Sequence, residues 1–475
     1  MNIYLPIEIK VRELEGKTLM ALEAAERGHT VLLGGKEDTR TLAANGTLPP
    51  GIFHNKSITP SDKTISILDQ LNENGHIVTC QDEESGLLDE SFDEFANLRF
   101  SEESVSRTKR IFGWGPHDSQ SLKRIYSDYK DHIVSTGSPR VDYWRSEFDK
   151  YYDLIVKGKL PEKKKPYILV SSNFGTILNE NRFWDVIARS RKAGYFDRNP
   201  EWERHEYYNF AYQTKLAYEF VAMIRELSKA FPDYTILVRP HPTESVDGWK
   251  KLIGSYSNIS VVREGAISGW IRNASVLVHN GCTTAIEAAA FNLSRIAYRP
   301  IPSEVEREIP NSVSYNAFSI EELKDIISKI LNNKQIPNYD KAEEASKEVL
   351  ASRFENLEGP LAAERIVDEW EEIGKGIDKY QLSNKELLDF SRISDDFLSE
   401  VKRNGKKFLK DNLFGKSKKS GSPLLKTKHK FPGLEEAELS ELIDQLQVTL
   451  GRYKDVKTAK FGKRSFIVYK HGKTA

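Results

Sequence analysis

Compact apolar runs alternate along the chain with longer stretches in which apolar positions recur every three or four residues. "NIYLPIEI", "HTVLLGG" and "HIVTCQ" are short and rich in Ile, Val and Leu, as buried strands are. Between them, "GKTLMALEAAERG" and "TISILDQLNENG" carry helical spacing, the first closed by Gly28. "RIFGWG" and "HIVSTGSP" continue the series. The alternation then restarts with "YILVSSNFG", "YTILVRPHP", "ISVVRE", "ASVLVHNG" and "SRIAYRP", interleaved with helices at "LAYEFVAMIRELSKAF", "SIEELKDIISKIL" and "AAERIVDEWEEIG". Strands separated by helices of this length predict βαβ units and parallel sheets. Two such series predict an α/β protein of two Rossmann-like, doubly wound domains facing a cleft.

Two prolines and a charge run in "PEKKKP", residues 161–166, break the pattern and mark a linker. The expected domains are therefore 1–160 and 161–375. Residues 179–212 are dense in aromatic and charged side chains and too long for an ordinary connection, which predicts an insertion beside the cleft. From residue 376 the composition changes. The stretch 401–431 holds eleven Lys and Arg against one acid, Asp411, with Phe408, Leu409, Leu413 and Phe414 among them. Such a stretch suits an anionic membrane surface, at about 1 kcal/mol per basic residue; a solvated linker fits it equally well. The membrane reading covers 402–430. The end of the chain, "GLEEAELSELIDQLQVTLGRYKDVKTAKFGKRSFIVY", reads as a helix and one or two strands, so 376–475 is expected to form a basic linker and a small α+β appendage.

The 475 residues carry 70 basic and 70 acidic side chains, so no global field favours nucleic acid. Cys80 and Cys282 stand far apart, which excludes a disulfide framework and offers no zinc pattern. No basic segment leads into an apolar one at the start, and no apolar run approaches the roughly 18 residues of a membrane span. A cytoplasmic location is expected, peripheral on the inner membrane face if the basic stretch binds there.

Chemistry concentrates where predicted strands end. In "HNGCTTAIEAA" a buried strand runs through His279, Asn280 and Gly281 into Thr283, Thr284 and Glu287. Gly281 permits a bend, a Thr is expected to cap the helix, and its N-terminus would favour a phosphate. An ordinary strand-to-helix turn with a Thr cap is the plainer alternative. "SSNFG" offers Ser172 and Asn173. "RPHP" offers Arg239 and His241, with Pro240 and Pro242 stiffening the backbone. Three such motifs at matching strand ends predict a nucleotide-phosphate site. The first domain offers Glu8, Arg12, Glu13 and Lys17 at its first strand–helix junction, and Asp82, Glu83 and Glu84 after the strand ending at Cys80. A carboxylate there could serve as a general base. Neither a Walker loop nor GxGxxG nor a DxD pair at a strand end is present, so kinase, nicotinamide and metal-dependent sugar-transfer chemistry are not expected. No metal and no cofactor are called for.

In this order, "LPIEIKVRELEGK", "LLGGK", "PPGIFHNKS", "DEESG", "FGWG", "TGSPRVD", "SSNFGT", "RPHPTE" and "HNGCTTAIEA" resemble the bacterial surface carbohydrate biosynthesis proteins, glycosyltransferases of the two-Rossmann GT-B type. The resemblance spans residues 1 to about 375. His241-Pro242 is similar to the His-Pro motif with which bacterial sialyltransferases, polysialyltransferases and Kdo transferases bind the phosphate of a CMP donor. Thr283 and Thr284 match the assisting hydroxyls. The resemblance implies transfer of a sugar, a 3-deoxy-ulosonic or nonulosonic acid, from a CMP donor to a glycan or lipid-linked glycan acceptor. Arg239, Ser172 and Asn173 would support the phosphate, Glu287 would contact the ribose, and Glu83 or Glu84, ahead of Glu8 or Glu13, would be the base. "RPHP" also resembles the CDP-glycerol polyol-phosphate transferases, and Gly-x-Thr-x-x-Glu the UDP-GlcNAc 2-epimerases. A nucleotide-binding scaffold without turnover is the non-enzymatic alternative.

Overall fold

A computed structural model describes residues 1–87, 92–156, 166–175, 177–178, 183–192, 194–198, 200–336, 338–377, 431–462 and 464–470. The chain divides into two units, one of residues 1–151 with 351–475, the other of 152–350.

The apolar runs of the first unit form β1 (Asn2–Ile7), β2 (Thr30–Gly35), β3 (Gly51–Asn55), β4 (Ile77–Cys80), β5 (Arg110–Gly113) and β6 (Ile133–Ser135). They lie parallel in the order β2-β1-β3-β4-β5-β6. β1 and β2 are buried at every position, as strands covered on both faces must be. Strand β3 escaped the sequence reading. Its five residues end in His54 and Asn55, whose polarity hides the strand, although both are buried.

The second unit contains β7 (Tyr167–Ser171), β8 (Thr235–Arg239), β9 (Ile259–Val261), β10 (Val276–His279), β11 (Arg295–Tyr298) and β12 (Tyr315–Ala317). These are all parallel, in the order β9-β8-β7-β10-β11-β12. Alternate side chains feed two cores. Ile168, Val170, Ile236, Val238, Val276 and Val278 pack with Phe220 and Ile224 of the helix Glu201–Ala230, and Leu169, Leu237 and Leu277 pack with Trp270 and Ala288 on the other face. Both sheets are therefore sandwiched α/β layers of the expected doubly wound class. The segment read as an insertion is mostly helix: Phe183–Lys192, Tyr195–Arg198 and the first half of Glu201–Ala230. It supplies Tyr212 to the unit's own core.

Two expectations of domain organisation are corrected. Residues 351–377 belong to the first unit, not the second. There the buried Asp142 carboxylate accepts from Ala362 N (2.7 Å), Ala363 N (3.0 Å) and Asn356 Nδ2 (2.5 Å), anchoring the start of the helix Ala362–Ile373. Trp370 then packs edge-on against His54. Nor is the C-terminal segment a separate appendage. Its strands β13 (Val456–Phe461) and β14 (Ser465–Lys470) form a hairpin, and β14 pairs antiparallel with β2. Without it, β2 would be a fully buried strand with an open edge. Gly34 and Gly35 make the approach possible. A Cβ on Gly34 would lie 2.0 Å from Ser465 Oγ, and one on Gly35 would lie 2.9 Å from the Phe431 ring. The helix Glu436–Leu450 buries Leu439, Leu442, Ile443 and Leu446. The linker 161–165 and the basic stretch 402–430 lie outside the described residues. Among the described residues, no helix is long and apolar enough to cross a membrane.

Candidate functional site

In the second sheet β8 and β9 build outward from one side of β7, and β10 to β12 from the other. Connections leaving β7 and β10 therefore diverge, and the strand ends between them bound a crevice where ligands of such sheets bind. The sequence motifs meet here. Ser171 at the end of β7 sits in register with His279 on one side and Arg239 on the other. Asn173 N donates to Asn280 Oδ1 (2.9 Å), tying the two loops together. Asn280 Nδ2 is buried with no hydrogen-bond partner among the described residues. The Thr284 hydroxyl donates to Ser171 Oγ (3.1 Å), which in turn donates to Cys282 Sγ (3.7 Å). Contrary to the capping expectation, Thr283 has helical angles (φ −60°, ψ −15°) and its side chain makes no capping bond.

His241 is half-buried in the loop after β8. Its Nδ1 accepts from Thr243 N (3.3 Å) and from the Thr243 hydroxyl (2.8 Å), which leaves the ring proton on Nε2. A Cβ on Gly175 would lie 2.3 Å from Thr243 Oγ1 and 3.6 Å from His241 Nδ1, so glycine lets the first loop close on the second. Thus Asn173, Asn280, His241, Thr283 and Thr284 gather as polar groups around one set of strand ends.

Three candidates have other tasks. Arg239 donates through Nη1 to Glu264 O (2.8 Å), through Nη2 to Gly265 O, and stacks 5.4 Å from the Trp270 ring. Burial lowers its pKa to about 10. His279 is wholly buried; Nδ1 accepts from Gly281 N (3.1 Å) and Nε2 faces Ser314 Oγ (2.9 Å). Burial, with Arg295 adding to it, lowers its pKa to about 3, so it is a neutral brace for the Gly281 turn. Gly281 itself has φ +75°, and a Cβ there would lie 3.1 Å from Arg307 Cβ, so the turn requires glycine twice over. Ser172 donates to Glu244 Oε2 (2.6 Å) rather than facing a ligand. Glu287 sits one turn into the helix Thr284–Ala290, 6% exposed.

Glu244 is the residue that sequence reasoning passed over. It accepts from Ser172 Oγ, Phe174 N and Trp249 Nε1 (2.6 Å), so one buried carboxylate fixes the loops after β7 and β8 together. Its signal was present: an acid two residues beyond a His-Pro turn, where only a tie between loops would bury it. Glu244→Ala strands several buried donors, each worth about 1–3 kcal/mol. The expected loss is about 3 kcal/mol, read from the urea midpoint; an unchanged midpoint would refute the tie.

At the strand ends of the first sheet the acids sort themselves by environment. Glu13 is a brace: it accepts from Glu8 N (3.0 Å) and Ile9 N (2.8 Å) and pairs with Lys56 (3.4 Å). Glu8 pairs with Lys36 (2.8 Å) and Lys56 (3.5 Å). Glu84 pairs with Arg12 and with Arg99 (3.7 Å). Burial pushes its carboxyl up, but those two guanidinium groups outweigh it and hold the group below the ordinary carboxylate range. Glu83 differs. It is 8% exposed, and among the described residues nothing donates to its carboxyl; Arg140 Nη1 reaches only its backbone carbonyl (2.9 Å). Burial raises its pKa to about 7, against the pull of Lys17. Of the carboxylates the sequence left open, Glu83 has the environment of an acid–base group at neutral pH.

No protein-family model matches the chain, and no curated protein does. Solved structures do resemble it. Staphylococcus aureus MnaA with UDP is 13% identical over 80% of this chain and 99% of its own, with a TM-score of 0.46. The UDP-GlcNAc 2-epimerase of Neisseria meningitidis bound to UDP-GlcNAc is 11% identical over 78% and 99%, with a TM-score of 0.44. The wall teichoic acid polymerase TagF, soaked with CDPG, is 12% identical over 68% and 71%, with a TM-score of 0.41. Likeness at this level does not decide a reaction.

Proposed function

We propose that the protein is an enzyme using a nucleotide-activated sugar or polyol, and that it acts on a hydroxyl-bearing acceptor, a glycan or lipid-linked glycan. The observation that carries the reading is the gathering of Asn173, Asn280, His241, Thr283 and Thr284 at the β7/β10 strand ends. Phosphate oxygens accept from neutral N–H and O–H groups there, and His241 Nε2–H supports the charge that develops on the departing phosphate. In the first unit Glu83 is the general base. A base of this kind takes the proton of a bound hydroxyl, which readies the oxygen's electron pair for a new bond.

No observation favours CMP over UDP or CDP. The solved structures named above carry UDP, UDP-GlcNAc or CDPG, so UDP and CDP belong in the test beside CMP. A thermal-shift titration with CMP, CDP, UDP, GDP and ADP is expected to give a pyrimidine-nucleotide shift, worth about 2.7 kcal/mol at a hundred times the dissociation constant. His241→Ala is expected to weaken that binding about tenfold, the loss of one hydrogen bond to a charged group. A shift with CMP alone would select the ulosonic or nonulosonic acid donor; with UDP or CDP alone, the other donors. No shift with any nucleotide would end the reading.

A further inference from the structure

Lys17 lies in the helix Lys10–Glu26 on a stripe with Leu14, Ala21 and Ala24, and it is 1% exposed. Its Nζ is buried, and no hydrogen bond or ion pair reaches it among the described residues. A buried ammonium without an acceptor is costly, and such groups in folded proteins call for a reason. The neighbours do not supply one. Glu13 is occupied by two backbone N–H groups and by Lys56, and Lys56 also pairs with Glu8. His54 Nδ1 faces Thr79 Oγ1 (3.0 Å), and burial together with the charge of Lys17 keeps that imidazole neutral. Cys80 carries a thiol that burial pushes well up, and Asp82 pairs with Arg99 (3.1 Å). Arg140 is engaged with the Glu83 carbonyl. What remains is Lys17 with three unused donors and Glu83 with unused acceptors. Each feels the other's charge, yet no bond joins them.

One chemical group satisfies both. A hydroxyl oxygen accepts from an ammonium while its O–H donates to a carboxylate. We propose that Lys17 is a catalytic residue that hydrogen-bonds the acceptor hydroxyl whose proton Glu83 removes. The inference rests on the function proposed above and names a second group on the same oxygen. As the O–H bond breaks and its proton passes to Glu83, negative charge grows on the oxygen, and Lys17 stabilises it. The same geometry sets specificity. A protonated amine would bring a second positive charge against Lys17, so the site takes neutral hydroxyls.

The test uses the full chain and water as the hydroxyl, with nucleotide release from UDP-N-acetylglucosamine, CDP-glycerol and CMP-N-acetylneuraminate measured across neutral pH. Lys17→Met is expected to lower kcat about a hundredfold, with the KM for donor unchanged. It is also expected to move the acid limb of the pH profile upward, because Glu83 loses a neighbouring positive charge. Lys17→Arg keeps the charge but misplaces the donor, so kcat falls while the limb stays at the wild-type pH; it carries the comparison if the Met variant folds poorly. Wild-type kcat and an unshifted limb in these variants, with Glu83→Gln inactive, would overturn the role of Lys17 and leave the proposed function standing. An active Glu83→Gln, or no release from any donor by the wild type, would overturn the function itself.

Discussion

Replacing Glu83 by Gln is expected to abolish turnover and at the same time to stabilise the protein above pH 7. The two effects share one cause. Burial raises the folded-state pKa of Glu83 from 4.5 to about 7, so the folded protein holds this proton more tightly than the unfolded chain does. The favourable contribution is complete below the unfolded pKa and disappears as pH rises through the folded one. Above pH 7 the native state carries a buried charge it disfavours by about 3 kcal/mol, at about 1.4 kcal/mol per pKa unit. Gln has no charge to bury. Denaturant unfolding should show the variant more stable at pH 8 and equal to the wild type near pH 4. Loss of the base should lower kcat by about 10²–10⁴-fold and remove the acid limb of the wild-type profile. A variant less stable than the wild type at pH 8 would show that the carboxylate is held by contacts rather than strained by burial.

Stopping the chain before Phe431 is expected to leave no folded monomer. The missing segment buries Phe431, Leu434, Leu439, Leu442, Ile443, Leu446, Phe466, Ile467 and Val468. At about 1.5–3 kcal/mol for each buried side chain, their sum, about 14–27 kcal/mol, matches or exceeds the roughly 5–15 kcal/mol that holds a domain together. The ionic ties go as well: Arg452 with Glu23 (2.7 Å) and Glu364 (2.6 Å), and Lys470 with Glu26 (3.0 Å). The exposed edge of β2 would then pair with other copies. Soluble yield and size-exclusion elution read this directly; a monomer with native near-ultraviolet dichroism would refute it.

Most of the second sheet was legible because β7 to β10 are short runs rich in Ile, Leu and Val, whereas β12, the three residues Tyr315–Ala317, is too short and mixed in character to be read as a strand. The shared strand-end position of "SSN", "RPHP" and "HNG" could be inferred before any coordinates. Burial could not. A pattern of residue types does not reveal that Arg239 turns back onto Glu264 and Gly265 or that His279 is sealed beneath Gly281, because those facts depend on distant elements closing over them. The same limit left Glu83 and Glu84 equal in sequence. They are separated by the deeper burial of Glu83 and by Arg12 and Arg99, which the fold brings to Glu84 and not to Glu83. Lys17 carried a signal, a lysine on the apolar stripe of a buried helix, whose meaning required knowing that nothing answers it. The appendage was misread because a hairpin carries no mark of the edge it joins.

That hairpin imposes a timetable on synthesis. Strand β2 ends at Gly35, and its partner β14 begins at Ser465. Residues 152–350 are contiguous and leave the ribosome as a complete unit. At about 5–20 residues per second, the edge of β2 waits roughly 20 to 90 seconds for its neighbour. The half of the protein made first is therefore the half finished last. During that interval the edge of a strand buried in the finished protein stands open in the cell with its backbone N–H and C=O groups unpaired, the kind of surface that chaperones of nascent chains hold.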